Sequence, residues 1–301
     1  MKFKNRDQER AFMKKEAKRL GITPMATYTT YYARKLLEKL ALINNGDLVV
    51  KGSFSQYVHL KELTRPVLDI DLSSTLSHQI PLEILFAAIY DSFSDELIFD
   101  LSTTPRQTKN GVYKIPVVAK VKYEDAKEMV IPVPIDFKDN NKVIFETQFK
   151  AVEPLFEGDK KFYINTPSFE EHIAEKLYII AHNTREDIPN TRVKDFYDIY
   201  KLFGKNYDED KFSLYFEAMV MMYGMNLDDI NADFLDKEFV KRHLELWEMI
   251  KEKYQFVDKE VELSEAVFFT KAVLSEQIQK IRTGEFKNQA YSLVRKKGLQ
   301  K

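Results

Sequence analysis

The stretch from residue 49 to residue 72, VVKGSFSQYVHLKELTRPVLDIDL, contains two segments that predict neighbouring strands. Residues 48–50 form a short apolar run, which predicts a buried strand that ends in a Lys-Gly-Ser turn. Residues 53–62 are predicted to return as a helix. Residues 67–72 alternate between apolar and acidic side chains and predict the second strand. The first strand thus leads into a glycine–serine turn, and the second carries a pair of carboxylates.

Asp69 and Asp71 lie two positions apart on the second predicted strand, so their carboxylates point to the same face. Oxygen ligands at a strand end suit a hard cation such as Mg²⁺, which prefers carboxylates together with substrate phosphates. An exposed acidic strand is the alternative, but the neighbours Leu68, Ile70 and Leu72 are large, apolar and suited to burial. Two like charges on one face also repel, and a cation relieves that repulsion. We therefore predict a metal site at Asp69 and Asp71.

The turn before the second strand predicts a site for an anion. Gly52 has no side chain, so a phosphate can approach its backbone closely, and Ser53 can add a hydroxyl. The helix that follows offers free N–H groups at its start. Lys51 and Arg65 complete the candidate nucleotide-binding residues of this stretch.

Asp136 is the next candidate. It lies near the end of the apolar segment MVIPVPIDF, at residues 129–137. A carboxylate there can be a third metal ligand or the base for an incoming hydroxyl, and the simpler alternative is an ordinary turn residue.

Residues further along the chain form a third motif. Lys176 lies on a predicted amphipathic helix and can bind a triphosphate as a point charge, and Arg192 can bind it with two hydrogen bonds. Asp195 and Asp198 are three apart, hence on one helical face. The alternative is an ordinary set of salt bridges between helices.

The fold class predicted from these patterns is α+β, with two domains at residues 1–160 and 161–301. The first holds the strands, in a mixed sheet whose strand order is expected to be mostly sequential. The second is mostly helical. Trp247 lies in a stripe of apolar residues at helical spacing and is predicted to belong to its core.

The composition fits a folded, soluble, cytoplasmic protein. The chain has 301 residues, no cysteine and a formal net charge of −1. Residues 1–21 lack the apolar segment that a secretory signal is expected to have, and no apolar run is long enough to predict a membrane span. Charge is uneven, because residues 1–21 carry eight Lys/Arg against three acids and residues 280–301 carry seven against one. Two interpretations of this positive charge stay open: a basic face that binds a phosphate backbone, and ordinary solvated helix surfaces.

The three motifs together resemble the AbiEii-type toxins, nucleotidyltransferases of the DNA polymerase β-like superfamily from bacterial abortive-infection, type IV toxin–antitoxin systems. The residues that carry the resemblance span about residues 49–200; they are Lys51-Gly52-Ser53, Asp69-Ile70-Asp71, Ile135-Asp136-Phe137, Glu175-Lys176, Arg192, Lys194, Asp195 and Asp198. The sequence departs from the family's usual pattern at two points. Fifteen residues separate Ser53 from Asp69, which is longer than the usual gap, and Val67 stands where relatives often carry Ser or Thr.

The resemblance implies a nucleotidyltransferase that uses Mg²⁺ or Mn²⁺ and an NTP, with tRNA or another RNA as acceptor. It implies growth arrest as a phage-defence function and a cognate antitoxin that acts mainly as a transcriptional repressor. The site it implies is formed by Asp69, Asp71, Asp136, Lys176, Asp195 and Asp198, with nucleotide contacts from the turn and the arginines. Two alternatives stay open: an enzyme that transfers NMP to a protein hydroxyl, and a scaffold without activity that binds RNA or protein.

Overall fold

The computed structural model describes residues 3–44, 46–74, 79–90, 97–124, 128–138, 145–185, 192–225 and 230–296. These residues form two units, each with its own contacts. Unit 1 contains the described residues up to 138 together with residues 147–167, and unit 2 contains residues 145–146 and the described residues from 168 onwards.

Unit 1 begins with two helices that are capped by their own sequence. Helix α1 (Arg6–Leu20) starts where the Asn5 side chain accepts from a backbone N–H, and it ends at Gly21 in the left-handed conformation. Helix α2 (Pro24–Ile43) starts at Thr23 in the same manner, with proline in its first turn. Two further helices of unit 1 are α3 (Gly52–Leu60) and α4 (Gln79–Tyr90).

The principal sheet of unit 1 has five strands in the order β1-β2-β8-β5-β4. The strands are β1 (Val49–Val50), β2 (Ile70–Ser73), β4 (Arg106–Gln107), β5 (Tyr113–Ile115) and β8 (Ile135–Lys138). Strand β2 pairs parallel with β8, and the other neighbours pair antiparallel. The sheet is therefore mixed, as predicted, but the expectation of a mostly sequential order is wrong: β8 enters between β2 and β5.

Two smaller sheets complete unit 1. Strands β3 (Leu97–Leu101), β6 (Val117–Lys122) and β7 (Glu128–Pro132) form an antiparallel sheet in the order β3-β6-β7. Strands β9 (Thr147–Val152) and β10 (Phe162–Pro167) form a two-stranded antiparallel sheet. The sequence patterns did not predict β9 and β10.

The second predicted strand is shorter than expected. The pattern predicted a strand over residues 67–72, whereas β2 begins at Ile70 and Asp69 directly precedes it. The reason is that the backbone of Val67 bonds to a side chain: its N–H donates to Thr30 Oγ1 at 3.1 Å, and its carbonyl accepts from the same hydroxyl at 3.3 Å. Both backbone polar groups of Val67 are therefore already hydrogen-bonded, so they do not pair with a neighbouring strand.

Within the described part of unit 2 the regular elements are all helices, joined by turns and loops. Its helices are α5 (Phe169–Arg185), α6 (Lys194–Leu202), α7 (Glu209–Met222), α8 (Lys237–Tyr254), α9 (Leu263–Thr283) and α10 (Lys287–Lys296). Trp247 of α8 is fully buried, which confirms the prediction that it belongs to the core. An α+β region with a mixed sheet followed by a helical region confirms the predicted fold class.

Candidate functional site

Three carboxylates converge on one edge of the five-stranded sheet. Asp71 of β2 and Asp136 of β8 are direct partners in the parallel register, and Asp69 lies just before β2 on the same face as Asp71. Oxygen atoms of the three residues all lie within 4.8 Å of one another. The intervening side chain of Ile70 is buried on the opposite face, as are Leu72 and Ile135. The alternation of the sequence thus separates a carboxylate face from a core face.

The electrostatics of this carboxylate cluster favour a cation. At 4.8 Å, the separation that bounds the cluster, two unit charges repel by about 3 kcal/mol at an effective dielectric constant near 20. The ammonium of Lys114 on β5 contacts the Asp136 carboxylate and offsets part of this repulsion. Carboxylate oxygens are the ligands that Mg²⁺ and Mn²⁺ prefer, so the donor set fits such an ion.

The glycine–serine turn lies directly against the carboxylates. Gly52 opens helix α3 with φ of +62°, and a Cβ added there would fall 1.8 Å from Asp71 Oδ2. The backbone N–H of Lys51 donates to the Asp71 carbonyl at 2.8 Å, which fixes the turn to β2. Glycine is required at position 52 both by its left-handed backbone and by the close approach of the carboxylate.

Ser53 follows in the first turn of α3. Its Oγ is buried and has no hydrogen-bond partner among the residues that the structure describes. A buried hydroxyl without a partner costs free energy, so this atom is suited to a ligand. The fifteen residues between Ser53 and Asp69 do not separate the two motifs, because α3 and the loop after it return the chain to β2. Arg65 is buried in that returning loop.

The third motif forms a buried ion-pair cluster within unit 2. Lys176 of α5 donates to Asp198 Oδ2 at 2.6 Å and to Asp195 Oδ1 at 3.4 Å, both on α6. Arg192 Nε lies 3.6 Å from Asp195 Oδ2. The structure therefore unites these four predicted residues, and the two aspartates hold the ammonium of Lys176 between them. The carboxylate cluster belongs to unit 1.

Family-level comparison matches residues 36–290 to the family described as "Nucleotidyl transferase AbiEii toxin, Type IV TA system". This match covers most of the chain, including all three motifs. The chain belongs to the AbiEii family. It is accordingly a nucleotidyltransferase of type IV toxin–antitoxin systems, which confirms the resemblance predicted from the motifs.

Solved structures related to this AbiEii-family chain are distant. JHP933 from Helicobacter pylori is 18% identical, with 88% of this chain and 96% of that chain covered and a TM-score of 0.43. An antigenic nucleotidyltransferase-like protein from Paracoccidioides brasiliensis is 13% identical, with 65% and 87% covered and a TM-score of 0.37. A sequence comparison with curated proteins finds no match. Among the described residues, no helix combines the length and apolar character that a membrane crossing requires.

Lys114 of this AbiEii-family chain contacts Asp136 and was not among the site residues predicted from the sequence. A signal was present, because Lys114 interrupts the apolar segment around β5 at the position where a buried strand would carry another apolar residue. The cross-strand register that joins Lys114 to Asp136 becomes visible only once β8 is placed between β2 and β5.

Proposed function

We propose that the protein transfers an NMP group from an NTP to an RNA acceptor, the tRNA 3′ end, and acts as a growth-arresting toxin in abortive infection. The observation that carries this proposal is the contact between the Gly52 turn and Asp71 within a cluster of three carboxylates. An anion-accepting turn and a cation-accepting cluster side by side are what a metal–triphosphate substrate requires.

Asp69, Asp71 and Asp136 would hold Mg²⁺ or Mn²⁺. When bound, such an ion neutralises negative charge that develops on the phosphates and lowers the pKa of the attacking hydroxyl. Since Asp136 oxygens lie within 4.8 Å of the other two carboxylates, we assign Asp136 as third ligand in preference to a separate base.

The remaining residues position the nucleotide. The free N–H groups at the start of α3 and the Ser53 hydroxyl donate to phosphate oxygens, and the Gly52 backbone lets the phosphate approach. Lys51 and Arg65 add positive charge in the same stretch. We propose that Lys176 and Arg192 bind the triphosphate, and that Asp195 or Asp198 orients the Lys176 ammonium or binds the ribose or the metal.

In the reaction, a 3′-hydroxyl oxygen of the acceptor attacks the α-phosphorus. A new phosphodiester bond forms, the bond from the α-phosphorus to the bridging oxygen breaks, pyrophosphate leaves with that electron pair, and the hydroxyl proton passes to solvent. Catalysis by the chain is chiefly positioning and electrostatic stabilisation. Membership of a toxin–antitoxin family implies an antitoxin partner, and we propose that this antitoxin acts mainly as a transcriptional repressor.

The proposal is tested by incubating the purified protein with total tRNA and each α-³²P-labelled NTP in turn, with Mg²⁺ or with EDTA. We expect Mg²⁺-dependent labelling of tRNA with a preference among the four nucleotides. Labelled protein in place of RNA would identify an NMP-transferring enzyme that acts on proteins. Absence of both labelling and Mg²⁺-dependent NTP binding by calorimetry would identify a scaffold without activity.

A further inference from the structure

Four residues that pair across neighbouring strands of the five-stranded sheet form a row, which is acidic at β2 and β8 and basic at β5 and β4. Asp71 on β2 is opposite Asp136 on β8, Asp136 is opposite Lys114 on β5, and Lys114 is opposite Arg106 on β4. Directly paired residues point to the same face of a sheet. These four side chains therefore share the face on which the carboxylate cluster lies, at intervals of about 4.8 Å from strand to strand.

The two cations of this row differ in their surroundings. Lys114 contacts the Asp136 carboxylate, and its side chain is 45% exposed. Arg106 is exposed, and its guanidinium has no ion-pair or hydrogen-bond partner among the residues that the structure describes. Its guanidinium is thus available to an anion, which it can bind with two parallel hydrogen bonds.

A cavity of about 360 Å³ opens beside these cations. Arg106, Lys114 and Asp136 line it together with Thr103 and Thr104, and the rest of the wall is apolar, formed by Ile115, Pro116, Pro134 and Ile135. The volume lies within the range of small-ligand sites. The polar part of this lining carries two cations against the one Asp136 carboxylate, with two threonine hydroxyls, so it can take phosphate and sugar oxygens beside an apolar wall.

This cavity lies on the opposite side of the carboxylates from the glycine–serine turn. In the sheet order, β1 and the start of α3 flank β2, whereas β5 and β4 flank β8. Gly52 approaches Asp71, and Lys114 approaches Asp136. With the NTP phosphates at the turn, the Asp136 side of the carboxylates is left for the group that attacks them.

We propose that Arg106 and Lys114 bind the backbone phosphate of the acceptor's terminal nucleotide in this cavity. The inference rests on the proposed function. A polynucleotide 3′ end carries a phosphate one sugar away from its attacking hydroxyl, whereas an unmodified protein hydroxyl has no such group. The cavity therefore selects a polynucleotide 3′ end as the acceptor.

The test is direct binding, so that it does not depend on turnover. A short fluorescent single-stranded RNA with a free 3′-hydroxyl is titrated by anisotropy with wild-type protein, Arg106→Gln and Arg106→Gln/Lys114→Gln, in Mg²⁺ without NTP. We expect about a tenfold loss of affinity for each cation removed. The slope of log affinity against log salt concentration should fall by about 0.7 for each. Arg106→Gln alone removes an exposed side chain with no partner in the described structure, so it leaves folding intact.

Two controls separate a phosphate contact from loss of charge or fold. Lys120→Gln removes the lysine of another cross-strand pair, Lys120 with Asp100 at 2.6 Å in the β3-β6-β7 sheet, and should bind RNA like wild type. An RNA whose last phosphodiester is replaced by a neutral methylphosphonate should bind wild type and both glutamine variants equally.

Unchanged RNA affinity and salt slope in both glutamine variants would overturn the proposal. So would a weaker Mg²⁺-dependent NTP affinity with RNA binding unchanged, because the cavity would then serve the triphosphate. Loss of RNA affinity in these variants, with no NMP transfer by wild type to any RNA, would leave the binding site standing and reject the proposed function alone.

Discussion

Substitution of Gly52 by alanine tests whether NMP transfer depends on the observed position of the Asp71 carboxylate. The new Cβ would lie 1.8 Å from Asp71 Oδ2 and 2.7 Å from its Cγ. Contacts below 3.0 Å are essentially never adopted by real Cβ atoms, so the carboxylate must retreat by more than 1 Å. Misplacement of a reacting group by about 1 Å can lower a rate about a hundredfold. We therefore expect Gly52→Ala to lower kcat for NMP transfer by about that factor.

A matched variant separates this steric effect from backbone strain. Gly284 at the end of α9 has φ of +72°, and an added Cβ there meets nothing within 4 Å. Alanine at either glycine should cost about 1 kcal/mol of stability from the left-handed backbone, measured by urea unfolding. Only Gly52→Ala should lose activity in initial-rate assays with labelled NTP. Equal transfer rates in the two variants would refute the steric argument.

Further predictions concern the ion-pair cluster of unit 2 and the half-buried His59. Lys176→Met should destabilise the protein by about 3 kcal/mol, because it removes the ammonium that lies 2.6 Å from the fully buried carboxylate of Asp198. Lys176→Met/Asp198→Asn should regain most of that stability in urea unfolding but no transfer activity; recovery of both would show that Lys176 is purely structural. Burial lowers the pKa of His59, whose Nε2 lies 3.0 Å from the Pro167 carbonyl oxygen, to about 4. The native imidazole is thus neutral where the unfolded one takes up a proton, so stability should fall by up to about 1.4 kcal/mol per pH unit from pH 6.5 down to about pH 4. In His59→Gln the slope of unfolding free energy against pH should lack the contribution of this one proton, which is up to about 1.4 kcal/mol per pH unit. An unchanged slope would contradict the lowered pKa of His59.

The helices could be predicted closely because their signals are local. Asn5 and Thr23 cap the first two helices through hydrogen bonds within one turn, and Gly21 terminates α1. Such contacts depend on neighbours in the sequence alone. The same is true of the alternation that turns Asp69 and Asp71 away from Ile70.

Features that depend on distant parts of the chain could not be predicted. The order of strands, with β8 between β2 and β5, is a matter of tertiary pairing, and it decides that Asp136 lies beside Asp71. The late start of the strand that was predicted over residues 67–72 depends on the Thr30 hydroxyl, which lies far away in the sequence. Lys114 can be recognised as a neighbour of the carboxylate cluster only from its cross-strand register with Asp136. The sequence thus specified the carboxylates and the glycine turn, while the cations opposite them required the fold.

The most direct test of the account is NMP transfer to RNA by Asp69→Asn and Asp71→Asn variants, compared with wild type in the same labelling assay. Each substitution keeps the size of the side chain but removes one charge from the carboxylate cluster. Asp100→Asn is a matched control, because it removes a strand carboxylate from the β3-β6-β7 sheet. We predict loss of labelling in both site variants, with circular dichroism and urea unfolding close to wild type, and full labelling in the control. Labelling that survives in both site variants would contradict nucleotidyl transfer at Asp69 and Asp71.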